Sequence, residues 1–243
     1  MENNFYEQER SLERGAAGES LSRYTAKTFL TMFLGLMVTF GVALFLTGTR
    51  SGLYAVVYAL YYVPYVHLIL LVAELAVVVG MTACLHKISA ATATVFFFLY
   101  SVLTGVTFSV IFLCYELSSL ILIFGATALY FGGMAVFGYV TRIDLSRMRN
   151  ILLGGLIFLI VMNVAMMFIP ALEVADQVVC TVGVIIFLGY TAYDTQMIRS
   201  FYGAYQGDEA MLKKASIFSA LQLYLDFVNM FLYLLRLLGK KKN

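Results

Sequence analysis

Apolar residues in this chain gather into seven runs, roughly 28–48, 63–85, 91–114, 117–140, 151–169, 178–198 and 215–238. A helix rising about 1.5 Å per residue needs about 20 apolar residues to cross a hydrocarbon core about 30 Å thick, and it satisfies its own backbone groups inside lipid. The pattern therefore predicts an all-α integral membrane protein with seven transmembrane helices. Residues 1–26 read as a polar, cytosolic and disordered tail, 27–238 as the membrane domain and 239–243 as a basic C-terminal tail. Pro64 suits the first turn of the second helix and Pro170 stops the fifth, because proline lacks the N–H that an interior turn needs. Glycines inside the runs, at 132, 133, 154, 155, 183 and 189, predict helix backbones packed closely in lipid.

Composition agrees with a membrane protein. The chain is 62% hydrophobic and only 12% charged, whereas soluble domains carry about 25% charged residues. A net charge of +2, with no basic stripe interleaved with aromatics, argues against a nucleic-acid partner. Cys84, Cys114 and Cys180 lie within apolar runs without paired or ligand spacing and read as packing residues. His67 and His86 have no companion at metal-ligand spacing, and no cofactor is expected. The N-terminal segment is too long and too acidic for the n-region of a cleaved signal. Tyr58, Tyr61, Tyr62 and Tyr65 read as interface anchors.

Lys and Arg in short loops set orientation. Arg10, Arg14, Arg23 and Lys27 precede the first run, Lys87 follows the second, Arg142, Arg147 and Arg149 follow the fourth, and Arg199, Lys213 and Lys214 follow the sixth. The alternate loops hold Arg50 alone, and none near Glu116, Glu173 or Asp176. This places the N-terminus in the cytosol. Seven crossings then leave Arg236, Lys240, Lys241 and Lys242 outside, against the rule; a last segment that enters and returns would keep them inside.

Two aspartates break the apolar pattern, Asp194 in the sixth run and Asp226 in the seventh. A charge at membrane depth costs about 2.5–3.5 kcal/mol on insertion scales, so it marks function by default. On the last helix Ser219, Gln222, Asp226, Asn229, Tyr233 and Arg236 recur at spacings of three and four, forming one polar face that must lie against protein. The sixth helix adds Tyr190 and Gln196. On nominal boundaries Asp226 sits about 10 Å deeper than Asp194, a gap that a longer extension of the last helix would close. If the carboxyls meet, burial and like charge disfavour double ionisation, and the pair shares a proton. With Gln196 and Asn229 the pair would offer Ca²⁺ a weak, hydrated station, since that ion takes six to eight oxygens. Glu74, within the second run, reads equally as a protonated core carboxyl or as a lining of the cation path.

The stretches GYTAYDTQMI (189–198) and LQLYLDFVNMFLYLLR (221–236), with AELAVVVG (73–80), LYSVLTGVTFSVIF (99–112) and FGYVTRIDLSRM (137–148), resemble the Bax inhibitor-1, or transmembrane BAX inhibitor motif, family in its bacterial form. The resemblance covers essentially the whole membrane region. It implies seven helices with the last one central, and pH-dependent passage of Ca²⁺ down its gradient. It also implies that Asp194 and Asp226 latch the last two helices. Family members are further linked to protection from cell death and to restraint of a membrane-anchored protease. One departure stands out: similar sequences carry Arg near the end of the second helix, where this chain has Cys84, with His86 and Lys87 close by as weaker substitutes.

The expected function is a pH-sensitive Ca²⁺ leak channel in the cytoplasmic membrane of a bacterium, with the bilayer, calcium and protons as partners. Two alternatives stand beside it: a proton-coupled cation carrier using the same acids as a relay, and a non-transporting scaffold that modulates another membrane protein, such as a membrane-anchored protease. An intramembrane aspartyl protease would need glycines just before the second Asp, where Leu223, Tyr224 and Leu225 stand, so no enzyme is expected.

Overall fold

The computed structural model describes residues 20–84 and 87–242; residues 1–19 of the expected tail, and His86, lie outside the described residues. The helices are α1 (Leu21–Gly48), α2 (Arg50–Tyr62), α3 (Val66–Cys84), α4 (Ala90–Cys114), α5 (Leu117–Val140), α6 (Arg149–Phe168), α7 (Asp176–Ala204) and α8 (Glu209–Leu238). Short 3₁₀ turns at Leu145–Met148 and Pro170–Ala175 precede α6 and α7. Among the described residues the single β-type pairing is a bridge between Tyr115 and Lys241.

Six helices, α1 and α4 to α8, are long and apolar enough to cross a membrane, while the apolar part of α3, Leu68–Cys84, is shorter. The chain is thus all-helical and multi-pass. Residues 21–26, assigned to the tail by polarity, form the first turns of α1, with Ser20 as N-cap accepting from the Arg23 N–H. The stretch between the first two runs is α2, whose 13 residues span only about 20 Å. Thr49 caps it, and Tyr54, Tyr58 and Tyr62 stack along one exposed side at i, i+4 spacing. Pro64 precedes the first turn of α3, and Pro170 follows the end of α6.

Contacts divide the chain into two compact units, one within Met1–Phe112 and Met197–Leu221, the other Leu113–Gln196 with Gln222–Asn243. In the first unit, α1 buries a stripe of small and hydroxyl residues that includes Thr28, Gly35, Thr39 and Ala43. A Cβ on Gly35 would fall 2.4 Å from the Phe97 ring, and one on Gly105 would fall 2.8 Å from the Thr39 carbonyl. Thr39 Oγ1 bonds the Ser101 carbonyl at 2.9 Å. Thr28, Thr39 and Ser101 satisfy their hydroxyls on backbone carbonyls one turn back, which lets α1 and α4 pack closely.

In the second unit, the lipid-facing residues of α5 and α6 are large and apolar, Leu122, Leu129, Val136, Ile151 and Met167 among them. The inner faces are tight: a Cβ on Gly138 would lie 2.2 Å from the Ala192 carbonyl oxygen, and Gly155, Gly183 and Gly189 meet Ile186, Tyr233 and Leu152. Gly132, Gly133 and Gly154 face open space instead, so only half of the glycines singled out by sequence are contact glycines. Helix α8 is the most buried span, with 67% of its most apolar window inside protein against 44% for α4 and α7.

Candidate functional site

The loop joining α7 to α8 is only residues 205–208, because the polar ends of both apolar runs are helical. Gly207, at φ +99°, makes the turn, and Asp208 caps α8 by accepting from the Met211 N–H at 3.0 Å. Phe201 meets Phe218 across this pair of helices, with ring centroids 6.3 Å apart. Residues 209–214 therefore run on past the end of α7, which is the extension that closes the nominal 10 Å gap estimated at 1.5 Å per residue.

Further along, in the second unit, Asp194 and Asp226 hydrogen-bond to each other. Seven residues back on α7 and seven forward on α8, Phe187 stacks on Tyr233 at 6.0 Å, so the aspartates meet in the register of an antiparallel pair. Both are buried, Asp194 at 5% and Asp226 at 3% exposure. Two carboxyl groups can bond to one another only with a proton between them. Phe227, next to Asp226, is walled by Phe124 and Phe131 of α5. Among the described residues of this unit, four buried side-chain oxygens have no hydrogen-bond partner: Asp194 Oδ1, Asp226 Oδ2, Thr195 Oγ1 and Gln222 Oε1. Gln222 lies one turn before Asp226, on the same side of α8.

The other sequence-predicted residues separate by role. Tyr190 sits close enough to interact electrostatically with both aspartates. Asn229 spends its amide on its own helix, donating to the Leu225 carbonyl at 2.8 Å. Gln196 faces the loop before the first 3₁₀ turn: Nε2 donates to the Ile143 carbonyl at 2.8 Å and Oε1 accepts from the Leu145 N–H at 2.9 Å. Its amide thus clamps that loop. Glu74 belongs to the first unit, where Thr107 Oγ1 donates to its Oε1 at 2.7 Å. Cys84 ends α3, and exposed Lys87 folds back on it through a backbone bond of 2.8 Å. Among the described residues no three His, Cys, Asp or Glu side chains converge as metal ligands.

Sequence reasoning missed a second polar cluster at the far end of α8. Arg236 pairs with Asp176, at the start of α7, and donates to Asn163 Oδ1 at 2.7 Å. Asn163 Nδ2 donates to the Tyr233 hydroxyl at 3.0 Å and to the Leu159 carbonyl. Beyond it, the C-terminal residues lie along the corner between α4 and α5. Lys240 pairs with Glu116 at 3.1 Å, the Glu116 N–H donates to the Lys240 carbonyl, and the Lys242 N–H donates to the Cys114 carbonyl. Arg236 and Glu116 were visible as charges at run ends, but partners 60 residues apart or more carry no local signal.

The profile described as Inhibitor of apoptosis-promoting Bax1 matches residues 21–243. The chain is similar to the inner membrane protein YbhL of Escherichia coli strain K12, at 38% identity over 224 residues, covering 91% of this chain and 93% of that protein. An uncharacterized protein of Borreliella burgdorferi is 37% identical over 222 residues, covering 91% and 94%. One from Deinococcus radiodurans is 37% identical over 220 residues, covering 90% and 91%.

Proposed function

This chain belongs to the Bax inhibitor-1 family, and we propose that it is a pH-sensitive Ca²⁺ leak channel whose gate is the proton shared by Asp194 and Asp226. The reading includes seven crossings with α8 at the centre, an N-terminus in the cytosol and residence in the cytoplasmic membrane. One observation carries it: two buried carboxyls, on the last two helices, hydrogen-bonded to each other. With one proton the pair carries a single negative charge and draws α7 and α8 together. Loss of that proton leaves two carboxylates in contact in a low-dielectric site, and gain of another removes the charge; either step changes how firmly the two helices hold. Around the pair, the unspent oxygens of Thr195 and Gln222 suit a hard cation that keeps part of its hydration shell. Such a weak station is what conduction requires.

The orientation proposed from the loop charges puts the C-terminal cluster on the outer face. Arg236 and Lys240, which would lie outside against the positive-inside rule, pair with Asp176 and Glu116. The C-terminal residues share that face with the α4–α5 corner and the start of α7.

The test is Ca²⁺ flux through the full chain in liposomes, from about pH 5 to about pH 8, a range that brackets a perturbed carboxyl pair. Asp226→Asn is expected to flatten the pH profile, and Asp194→Asn to hold the gate toward one state. Profiles matching the unaltered chain would sink the latch. Uphill Ca²⁺ movement driven by a proton gradient would establish the carrier, and a chain that moves no ion would establish the scaffold.

A further inference from the structure

A cavity of about 310 Å³ lies in the first unit between α1, the start of α4 and the first turns of α8. Lys27 and Lys213 line it, with hydroxyls from Thr31, Thr94 and Ser216 and the apolar side chains of Leu30 and Leu34. Each lysine precedes the apolar run of its helix, so the two ammonium groups stand at the boundary between polar and apolar surface. Along α1, Lys27, Leu30, Thr31 and Leu34 follow one another at helical spacing, and Leu30 and Leu34 are 56% and 45% exposed. The groove therefore runs from a cationic, hydroxyl-rich end into an open apolar channel. Ala90 and Ala91 form the opposite wall with side chains too short to fill it. Lys213 also pairs with Glu209 at 3.4 Å, but both are well exposed, and such surface pairs hold weakly.

We propose that this groove is a binding site for one anionic phospholipid, its phosphate between Lys27 and Lys213 and one acyl chain along Leu30 and Leu34. Charge complementarity selects the occupant. Two cations at headgroup level favour a phosphodiester, basic pockets between membrane helices are a recurrent lipid site, and the apolar half has no use for a free phosphate. The hydroxyls of Thr31, Thr94 and Ser216 are already spent within the protein, on the Lys27 carbonyl, the Ala90 carbonyl and the Thr28 hydroxyl, so the two ammonium groups supply the donors to phosphate. The occupant would bridge α1 to α8, which already share the Thr28–Ser216 hydrogen bond at 2.8 Å. This site is independent of the ion-conducting reading.

The experiment is titration of the purified full chain in neutral detergent with phosphatidylglycerol, with phosphatidylcholine and with glycerol phosphate, read by native mass spectrometry. One phosphatidylglycerol is expected to bind in preference to phosphatidylcholine, while glycerol phosphate binds far more weakly. The exposed-lysine variant Lys27→Gln with Lys213→Gln is expected to lose roughly tenfold or more of that affinity, given the attraction of each cation to an anionic headgroup. Thr94→Trp, which fills the groove and keeps both lysines, is expected to lose it too. Equal phosphatidylglycerol binding in the unaltered chain and in both variants would overturn the proposal. So would glycerol phosphate binding as tightly as the lipid, which would make the site one for free phosphate, or no preference between the two phospholipids.

Discussion

Asp194 and Asp226 bond to each other while each keeps a second carboxyl oxygen without a partner. The contact is thus a single hydrogen bond, and its strength depends on the proton it contains. Asp226→Asn replaces the acid by an amide that still donates to Asp194, whereas Asp226→Ala leaves a buried carboxyl facing nothing. Alanine is expected to lower stability by about 1–3 kcal/mol more than asparagine, the cost of stranding a buried polar group. Thermal unfolding of both variants in detergent checks this. Identical midpoints would mean that the bond contributes nothing to the fold.

The glycines of α5 supply a contrast within one helix. Gly138 packs on the Ala192 backbone, one turn or less from Asp194, while a methyl group on Gly133 would meet nothing within 4 Å. Gly138→Ala must push α5 off the backbone of α7 and is expected to cost about 1–3 kcal/mol. Gly133→Ala is expected to be neutral or to stabilise by about 0.5–1 kcal/mol through helix propensity. Unfolding in detergent separates the two, and equal effects would refute the close approach.

The Asp pair was legible because a charge inside an apolar run is rare, and the polar stripe on α8 because its spacing follows the helical period. Their contact was not legible. The segments RSFYGA (199–204) and EAMLKK (209–214) are polar enough to read as loop, yet they extend α7 and α8 and set the register that brings the aspartates level. Helix α2 escaped for a different reason: with Arg50, Ser51 and Gly52 at its start and only 13 residues, it forms no run of spanning length. Gln196 was read as a partner of the pair from its position two residues after Asp194, but 100° per residue turns it to another face, where the 143–145 backbone uses its amide. Arg236 with Asp176 and Lys240 with Glu116 depend wholly on tertiary folding.

The loop before α6 is pinned at two adjacent amides by different chemistry, and acid should release only one. Leu145 N–H donates to the Gln196 amide, which does not titrate, and Ser146 N–H donates to Asp144 Oδ1 at 3.0 Å. The Ser146 hydrogen bonds hold the Asp144 carboxyl below its ordinary value. A lowered value means that the carboxylate's contribution is complete above the ordinary carboxylate range and is lost as pH falls through the lowered one. Amide hydrogen exchange is expected to show Ser146 losing protection in strong acid while Leu145 keeps it. Gln196→Ala should reverse the order at neutral pH. Joint loss of both in acid would show that the loop opens as a unit.

Cys114 offers a direct measure of which way the chain runs. It ends α4, is exposed, and its carbonyl accepts from the Lys242 N–H, so Cys114 and the C-terminal residues belong to one face. On the proposed arrangement, seven crossings with the N-terminus in the cytosol, that face would be external and the turn at 205–208 internal. In a chain carrying Cys84→Ser and Cys180→Ala, a membrane-impermeant maleimide added to intact cells is expected to label Cys114. The same chain with Cys114→Ser and Gln206→Cys should label only after the membrane is opened. Removing residues 240–243 deletes the bridge to Tyr115 and the Lys240–Glu116 pair, and should speed Cys114 labelling severalfold by uncovering the corner. Labelling of Gln206→Cys from outside would invert the topology, and with it the face from which Asp176 and Arg236 meet the medium.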